Sequence, residues 1–533
     1  MRSRLALAVG VSAALVLAAT SFGRTAGAPP ARDVVRAEAT GPTLVDGNLT
    51  LDTAADGLIT PIGVAFLGAD DLLVIEKNTG KVQRLQGGEV TATVLDLSVN
   101  GFNERGLLGI ALDPDFTTDP AVYLYWTCRS TTPLDDDPFR PEEERCDDAA
   151  MTGLPDSEVV AEVPLLGNRV DRFTWDGSAL TYDRNLEMLR AFQADGAPEP
   201  PDQGDSAQPE RGNHDGGVIA FGSDRKLYVM VGDLGRRGAM QNLPCGPTAT
   251  SCDGPEDVTA DDQFGGPEPD DAHLSGVILR LNEDGTTPSD NPFFAAGAAM
   301  GGEVGANVQR VFAYGVRNSF GMAFDPRSGN LWQQENGEDA FDEINRVTAG
   351  ENSGWIQVAG PSSRVAQYRE IETTSLHHED FPNLQQFRWG PERIATTPSA
   401  ALARLHMLPG AHYSEPEFSW RYVLAPAGIG FQAGRALGPQ YDGDLFVGHS
   451  TLDTLGGPLF RFNLTGNRRA LGFDDPRLAD RVADNLTFHE MTESESLVFG
   501  INFGIVTDIE TGPNGHLYVV SLDQGAVYEI ARR

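Results

Sequence analysis

The residues best suited to chemistry lie just before short apolar segments of the chain. His214 stands in the run Asn213-His214-Asp215-Gly216-Gly217, and Arg317-Asn318 occupy the matching place before a later segment. An imidazole can accept a proton near neutral pH, and a guanidinium beside an amide can hold carbonyl or charged oxygens. We therefore predict that His214, Arg317 and Asn318 share one site.

An acidic loop follows the second of these positions. It runs from Glu335 to Asn345 and contains Gly337, Glu338, Asp342 and Glu343. Carboxylate and carbonyl oxygens in a tight glycine-containing loop suit calcium, a hard cation that takes six to eight oxygen ligands. The spacing is not that of an EF-hand. The residues alone slightly favour a solvated acidic loop over a metal site.

A repeating module must position these residues. Each copy has a glycine or aspartate start, a short apolar strand, a turn and a second strand. The copies start at Gly63, Gly109, Gly217, Gly321, Gly430 and Asp508. One such hairpin cannot bury both of its faces, so the copies must pack on one another, and radial packing of small sheets gives a propeller.

Six copies predict an all-β fold, a six-bladed β-propeller with long inter-strand loop insertions. A β-sandwich with coincidental repeats is the alternative. The copies lie farther apart than a minimal blade of roughly 40–45 residues requires. The surplus falls in segments 133–148, 194–212, 295–306 and 361–408, which we expect to be loops. Long loops on one rim of a rigid scaffold commonly build binding surfaces.

The N-terminal segment predicts export. Arg2 and Arg4 precede an apolar stretch from Leu5 to Ala19, and small residues follow near Ala26-Gly27-Ala28. This pattern is typical of a secretory signal peptide, which we place at 1–28. We expect a linker at 29–50 and a single propeller domain at 51–533. The mature protein is predicted to be secreted or periplasmic, with no membrane span.

Four cysteines agree with an oxidising compartment. Cys128 and Cys146 bracket one acidic segment, and Cys245 and Cys252 bracket a short turn. Sequential pairing would close two local loops, although three pairings are formally possible.

The charge balance limits the partners. Asp and Glu number 77 against 40 Lys and Arg, so the formal net charge is -37. This charge repels nucleic acid and anionic membranes, and it leaves neutral or cationic small molecules as better partners.

A set of motifs carries a family resemblance. It includes Glu104-Arg105-Gly106-Leu107-Leu108-Gly109, His214-Asp215-Gly216-Gly217, Gly232-Asp233, Arg317-Asn318, Asp342-Glu343-Ile344-Asn345 and Asn352-Ser353-Gly354-Trp355. In this order, from about Leu58 to the C-terminus, the chain resembles the soluble aldose dehydrogenases that use pyrroloquinoline quinone (PQQ). These belong to the glucose/sorbosone dehydrogenase-like propellers.

The resemblance implies roles for individual residues. His214 would be the general base, and Glu104, Arg317, Asn318 and Trp420 would contact the cofactor. Backbone oxygens of Gly337 and Glu338 would bind calcium, and Asp342 with Glu343 match a second, structural calcium position. The implied activity is oxidation of the anomeric hydroxyl of aldoses to lactones by hydride transfer to PQQ. The partners would be a sugar substrate and an external electron acceptor.

The chain departs from the family pattern at its cations. No lysine follows Lys226, although the family places one in the fifth-blade region, and Thr507 stands where an arginine is expected. Glu104 replaces a glutamine-like contact, and Glu338 replaces a proline. Because PQQ carries three carboxylates, these changes oppose its binding. Arginines such as Arg421 or Arg435 are candidates to replace the missing cations.

Two other functions therefore remain open. One is a catalytically silent secreted propeller that binds a glycan or a protein through the same face. The other is a calcium-dependent lactonase on the same architecture.

Overall fold

The computed structural model describes residues 41–101, 104–128, 167–189, 214–234, 239–243, 274–375, 389–452 and 455–533. The predicted signal peptide, the segments 133–148 and 194–212, and Cys146, Cys245 and Cys252 lie outside these residues. The cysteine pairing, export and signal peptide therefore stay predictions.

Short strands make up most of the described chain. In order they are β1 (Thr43–Leu44), β2 (Leu49–Ala55), β3 (Pro61–Gly68), β4 (Asp71–Glu76), β5 (Lys81–Gln86), β6 (Glu89–Asp96), β7 (Leu107–Leu112), β8 (Ala121–Cys128), β9 (Gly167–Trp175) and β10 (Leu180–Leu189). There follow β11 (Ile219–Phe221), β12 (Leu227–Val231), β13 (Val277–Leu281), β14 (Val311–Tyr314), β15 (Met322–Phe324), β16 (Leu331–Glu335), β17 (Ala340–Val347), β18 (Glu351–Asn352) and β19 (His412–Tyr413). The last are β20 (Phe418–Tyr422), β21 (Pro426–Phe431), β22 (Leu445–His449), β23 (Leu459–Leu464), β24 (Leu471–Gly472), β25 (Val482–Ala483), β26 (Val498–Ile501), β27 (Val506–Thr511), β28 (Leu517–Ser521) and β29 (Ala526–Arg532).

Helices are short and lie between strands. The α-helices are α1 (Phe294–Met300), α2 (Gly302–Arg310), α3 (Val365–Thr374) and α4 (Pro398–Leu402). Single 3₁₀ turns occur at Ala239–Gln241, Ser362–Arg364, Pro391–Arg393, Pro476–Asp480 and Glu495–Leu497. No helix of the described ranges is long and apolar enough to cross a bilayer.

The strands form six hydrogen-bonded sheets. Three have four strands: β3 to β6, β7 to β10, and β2 with β27 to β29. The others are larger: β11 to β14 with β18 and β19, β15 to β17 with β20 and β25, and β21 to β24 with β1 and β26. The innermost strands, β3, β7, β11, β15, β21 and β27, contact one another in cyclic order. The all-β propeller class is confirmed. The sheets differ in their number of strands, which ranges from four to six.

The two ends of the chain close the ring. β2 pairs antiparallel with β29 from Leu49 opposite Arg532, and β1 pairs with β26. Both strands begin inside the segment 29–50 that the sequence assigned to a linker. Asp508 of β27 also accepts a 2.8 Å hydrogen bond from the backbone N–H of Val64 in β3. Pairing and side-chain contacts thus join the last sheet to the first.

The module glycines allow the inner strands to approach closely. A Cβ on Gly430 would lie 1.8 Å from the carbonyl oxygen of Ile509 on the next sheet, and one on Gly109 would lie 2.1 Å from that of Gly217. A side chain cannot occupy such a space, because real carbon–oxygen contacts are longer than 3 Å. The recurring glycine therefore reflects packing around the axis.

Two predicted loops contain helices. Segment 295–306 lies within α1 and α2, and segment 361–408 contains α3 and α4. Alanine-rich stretches such as Ala295-Ala296 favour helix despite nearby glycines. The expectation of plain loops was wrong in these two places.

Candidate functional site

His214 lies at one end of the propeller axis, directly before the sheet that starts with β11. It is buried, with 4% of its surface exposed, and its φ is 58°. Left-handed backbone is strained for a residue other than glycine. Its own N–H donates a 2.5 Å hydrogen bond to Oε2 of Glu104, from the neighbouring sheet. An inter-sheet contact thus holds His214 in this conformation.

Asp233 orients the His214 ring. Its Oδ1 lies 2.7 Å from Nδ1 of His214, and its Oδ2 accepts a 2.7 Å hydrogen bond from Nε1 of Trp355. Because a carboxylate only accepts, Nδ1 carries the imidazole proton and Nε2 carries the lone pair. No described residue forms a hydrogen bond with Nε2 of His214. The ring is therefore arranged to accept a proton at Nε2.

Arg317 lies beside this pair. Its guanidinium forms an ion pair with Glu338, donates to the carbonyl of Asn336 at 3.1 Å, and lies 5.5 Å from the ring centre of Trp355. Burial disfavours the charged form of Arg317 and lowers its pKa. The nearby carboxylates of Glu338 and Asp233 have a larger, opposite effect, so the pKa of Arg317 is raised. The buried Nε–H has no hydrogen-bond partner among the described residues. One donor thus remains for a ligand.

Asn318 connects two other sheets. Its Nδ2 donates to Oε2 of Glu104 at 3.0 Å, and its Oδ1 accepts from the N–H of Gly216 at 3.3 Å. The three residues predicted to share a site, His214, Arg317 and Asn318, are therefore brought together. Glu104 links two of them directly.

In the acidic loop, the carboxylate of Asp342 accepts hydrogen bonds from the backbone. Asp342 accepts hydrogen bonds from the backbone N–H groups of Gly337, Leu424 and Ala425, at 2.9 Å for Gly337 and 2.7 Å for Ala425. Burial raises its pKa to about 6. These donors occupy both carboxylate oxygens, so the side chain fixes the loop to the segment after β20.

Glu343 is engaged in the same way. It accepts from the N–H of Gly360 at 2.5 Å and from Nδ2 of Asn345 at 2.9 Å. Burial raises its pKa to about 7. In the described ranges, no three His, Cys, Asp or Glu side chains are grouped so that they could hold a metal. Calcium at the backbone oxygens of Gly337 and Glu338, and at Asp342 and Glu343, stays a prediction.

Trp420 lies in β20, where it is paired with Asp342 of β17. It is fully buried in β20, where its ring packs against Phe418, Phe460 and Phe462 at centroid distances of 4.8, 5.6 and 6.2 Å. Its strand position places it in a core between sheets. The assignment of Trp420 to the cofactor pocket stays a prediction.

The two arginines predicted to replace the missing cations, Arg421 and Arg435, have other partners. Arg421 donates to the carbonyl of Asn485 at 2.5 Å and packs on the ring of Tyr422. Arg435 is 75% exposed, with its nearest carboxylate, Asp442, at 3.7 Å. Neither contacts His214, Arg317 or Asn318.

A lysine that the sequence argument overlooked does lie at the site. Lys77 follows β4, is 3% exposed, and its ammonium donates to Oδ1 of Asn78 at 3.0 Å and to the carbonyl of Gly101 at 3.3 Å. Burial lowers its pKa to about 8, against the charges of Glu104 and Asp215. At neutral pH the ammonium is therefore mostly charged.

Residues that follow the second strand of a sheet meet at this end of the axis. Lys77 follows β4 and Asp233 follows β12, while Glu335 ends β16. Burial and the nearby Glu343 raise the pKa of Glu335 well above its usual value. Comparison of equivalent module positions would have identified Lys77 and Asp233, because the module itself gives their strand ends.

A cavity of about 100 Å³ continues from this end along the axis. Its walls are mostly apolar side chains of the inner strands, such as Ile62, Leu108, Met322 and Ile429. Polar lining comes from Lys77, Glu104, Thr507, Asp508 and Glu510. Burial raises the pKa of Asp508 to about 7, and burial together with Asp508 raises that of Glu510 to about 8.

Similarity to known proteins agrees with this architecture. Residues 58–142 and 257–401 match the sequence model of the glucose/sorbosone dehydrogenase family. The resemblance to the glucose/sorbosone dehydrogenases is confirmed. The matched residues of this family include Glu104, Arg317, Asn318 and the acidic loop, while His214 lies between the two matched ranges.

Two curated relatives are quinoprotein glucose dehydrogenase B of Acinetobacter calcoaceticus and aldose sugar dehydrogenase YliI of Escherichia coli. The first is 28% identical over 300 residues, which cover 55% of this chain and 49% of that protein. The chain thus spans about half the length of this relative. The second is 25% identical over 480 residues, covering 89% of this chain and 90% of that protein.

Two solved structures share the fold. The soluble aldose sugar dehydrogenase of Escherichia coli superposes with a TM-score of 0.55 at 21% identity, covering 91% of this chain and 100% of that one. The PQQ-bound aldose sugar dehydrogenase of Streptomyces coelicolor superposes with a TM-score of 0.50 at 21% identity, covering 91% and 98%. At these identities the superpositions show the propeller fold alone.

Proposed function

We propose that the protein oxidises a hydroxyl group of an aldose, with His214 as the general base. The observation that carries this proposal is the buried pair of His214 and Asp233, in which Nδ1 is fixed and Nε2 is left without a partner. The relationship to sugar dehydrogenases, including a quinoprotein, supports the reaction class.

His214 would take the hydroxyl proton at Nε2 while the hydrogen on the same carbon leaves as a hydride. The ring then becomes an imidazolium, and the carboxylate of Asp233 at 2.7 Å stabilises that charge. For an anomeric hydroxyl, the product is a lactone. Burial of the pair excludes water from the proton transfer.

PQQ is the proposed oxidant, and it would supply a two-electron acceptor when bound. The unpaired Nε–H of Arg317 and the ammonium of Lys77 fit quinone and carboxylate oxygens as donors. Glu338 and Glu104 each offset one of these cations, so we expect binding weaker than a fully cationic pocket would provide. Calcium at the backbone oxygens of Gly337 and Glu338 stays part of the proposal, with no catalytic step assigned to it.

Reconstitution tests the proposal. Purified protein is incubated with micromolar PQQ, with and without calcium, then desalted, and its absorbance spectrum and dye-linked oxidation of several aldoses are measured. We expect retained cofactor absorbance and turnover that His214→Ala abolishes. His412→Ala, an exposed histidine in β19, is the control and should behave like the wild type.

The other two functions give different results in the same experiment. If neither absorbance nor turnover appears, the dehydrogenase proposal is wrong and a glycan- or protein-binding propeller is favoured. Hydrolysis of lactones without PQQ would instead select the lactonase.

Secretion or a periplasmic location is also proposed, on the basic and apolar N-terminal segment. Fractionation of the producing cells, followed by N-terminal sequencing of the mature protein, tests this location. A cytoplasmic protein that retains Met1 would contradict it.

A further inference from the structure

One carboxylate oxygen joins three sheets beside His214. Oε2 of Glu104, which precedes β7, accepts the N–H of His214 at 2.5 Å and Nδ2 of Asn318 at 3.0 Å. His214 precedes β11 and Asn318 precedes β15. The relative position of the base and of Asn318 therefore depends on a third residue.

The hydrogen bond to Glu104 is made at a residue with a left-handed backbone conformation. His214 has a φ of 58°, a conformation that is strained for a residue other than glycine and persists when its surroundings fix it. The next residue is also held, because the carbonyl of Asp215 accepts from the hydroxyl of Tyr125 at 2.9 Å and its Oδ1 accepts from Asn168 at 3.0 Å. The hydrogen bond to Glu104 fixes the N-terminal side of His214.

The negative charge of Glu104 has a counter-charge from a fourth element. Glu104 is 9% exposed, so an unbalanced carboxylate would be costly there. Lys77, after β4, is 3% exposed and lines the same cavity as Glu104. The ammonium is held in place by Asn78 and the carbonyl of Gly101.

We propose that Glu104 and Lys77 are positioning residues for His214. Glu104 fixes the backbone of His214 and the amide of Asn318 relative to each other, and Lys77 balances the charge of Glu104. The effect on turnover rests on the proposed function, whereas the effect on the His214 ring does not.

The first arm uses cofactor-free protein, so that it does not require turnover. Protein labelled with ¹⁵N at histidine is followed by NMR, with the His214 ring signals assigned from a His214→Gln variant. Glu104→Ala should shift or broaden these signals, because no acceptor remains for the His214 N–H. Glu104→Gln keeps an accepting oxygen of similar reach and should retain signals close to those of the wild type.

Lys77 is tested through a double-mutant cycle. Lys77→Met leaves the Glu104 charge unbalanced and should shift the His214 signals, while the double variant Lys77→Met/Glu104→Gln removes both charges and should restore them towards the wild type. Lys81→Met in β5 is the control, and it should change nothing. Near-ultraviolet circular dichroism confirms that each variant is folded.

The second arm measures turnover of the reconstituted enzyme. Misplacement of a catalytic group by about 1 Å can cost 10²-fold, so we expect Glu104→Ala to lower kcat on the order of 10- to 100-fold. Measured at saturating PQQ, KM should change by less than about 3-fold, because the proposed role of Glu104 acts through His214, and Glu104→Gln should recover most of kcat.

Unchanged His214 signals in folded Glu104→Ala would overturn the proposal, as would a double variant that only adds the two single effects. If the wild type does not turn over, the proposed function fails, but the NMR arm still decides the positioning role.

Discussion

Replacement of Asp233 by asparagine changes one carboxylate oxygen into an NH₂ group, and the structure dictates which one. Nε1 of Trp355 can only donate, so it requires the remaining oxygen of the asparagine at its 2.7 Å contact. The NH₂ group then faces Nδ1 of His214, which must accept. The imidazole proton moves to Nε2, where the substrate proton would otherwise be taken up.

The expected loss follows from these contacts. In the variant, the productive tautomer would place two N–H donors against each other over 2.7 Å. The hydrogen bond to the charged carboxylate of the wild type, worth about 1.5–3 kcal/mol, is also lost. The imidazolium formed during oxidation also loses the facing carboxylate. We therefore expect Asp233→Asn to lower kcat by roughly 10²- to 10⁴-fold. ¹⁵N chemical shifts of His214 in cofactor-free protein should report the proton at Nε2.

A second substitution should partly reverse the first. Trp355→Phe removes the N–H donor but keeps an aromatic ring beside Arg317, so the asparagine amide can turn and present its oxygen to His214. We expect Asp233→Asn/Trp355→Phe to be at least about 10-fold faster than Asp233→Asn, a gain of about 1.4 kcal/mol. Trp355→Phe alone is the control. A double variant no faster than Asp233→Asn would refute this account of the pair.

Three further predictions concern charge and packing. Glu338→Gln should free the guanidinium of Arg317 and tighten PQQ binding about 10-fold, measured by cofactor titration, whereas Glu89→Gln on exposed β6 should not. Burial raises the pKa of Glu351 to about 7, so its contribution to stability is complete below about pH 4.5 and is lost as the pH rises to 7. The free energy of unfolding of Glu351→Gln, measured in urea, should therefore rise by about 3 kcal/mol relative to that of the wild type between pH 4.5 and 8. A difference between the two proteins that does not change with pH would contradict the raised pKa. Gly430→Ala should destabilise by more than about 2 kcal/mol, since its Cβ would lie 1.8 Å from Ile509 O, while Gly466→Ala, with nothing within 4 Å, should be neutral in thermal unfolding.

The sequence predicted the propeller because its repeat is local. Each module joins two strands across a short turn, and its glycine marks the place where an inner strand approaches its neighbour, as at Gly430. The helices α1 to α4 were missed, because composition alone does not separate an alanine-rich helix from a glycine-containing loop. The strand pairing of β1 and β2 was missed as well, because their partners lie more than 400 residues away.

Module position likewise placed His214, Arg317 and Asn318 together. It did not show that the ring of Trp420 packs against Phe418. The carboxylate of Asp342 appears in sequence as a metal ligand, yet in the fold backbone N–H groups from two segments occupy it. The partner of each side chain depends on which groups of the neighbouring sheets lie beside it. Sequence spacing does not contain that information.

By itself, the sequence determined that this is a propeller with a histidine, an arginine and an asparagine at equivalent blade starts. Strand repeats and turn residues act over a few positions, so they can be read directly. Only the tertiary structure decided the partners: Asp233 and Trp355 for His214, Glu338 for Arg317, and Glu104 with Lys77 between the sheets. These contacts join residues that the ring closure brings together from distant parts of the chain, and charge balance in a buried site is set by that proximity.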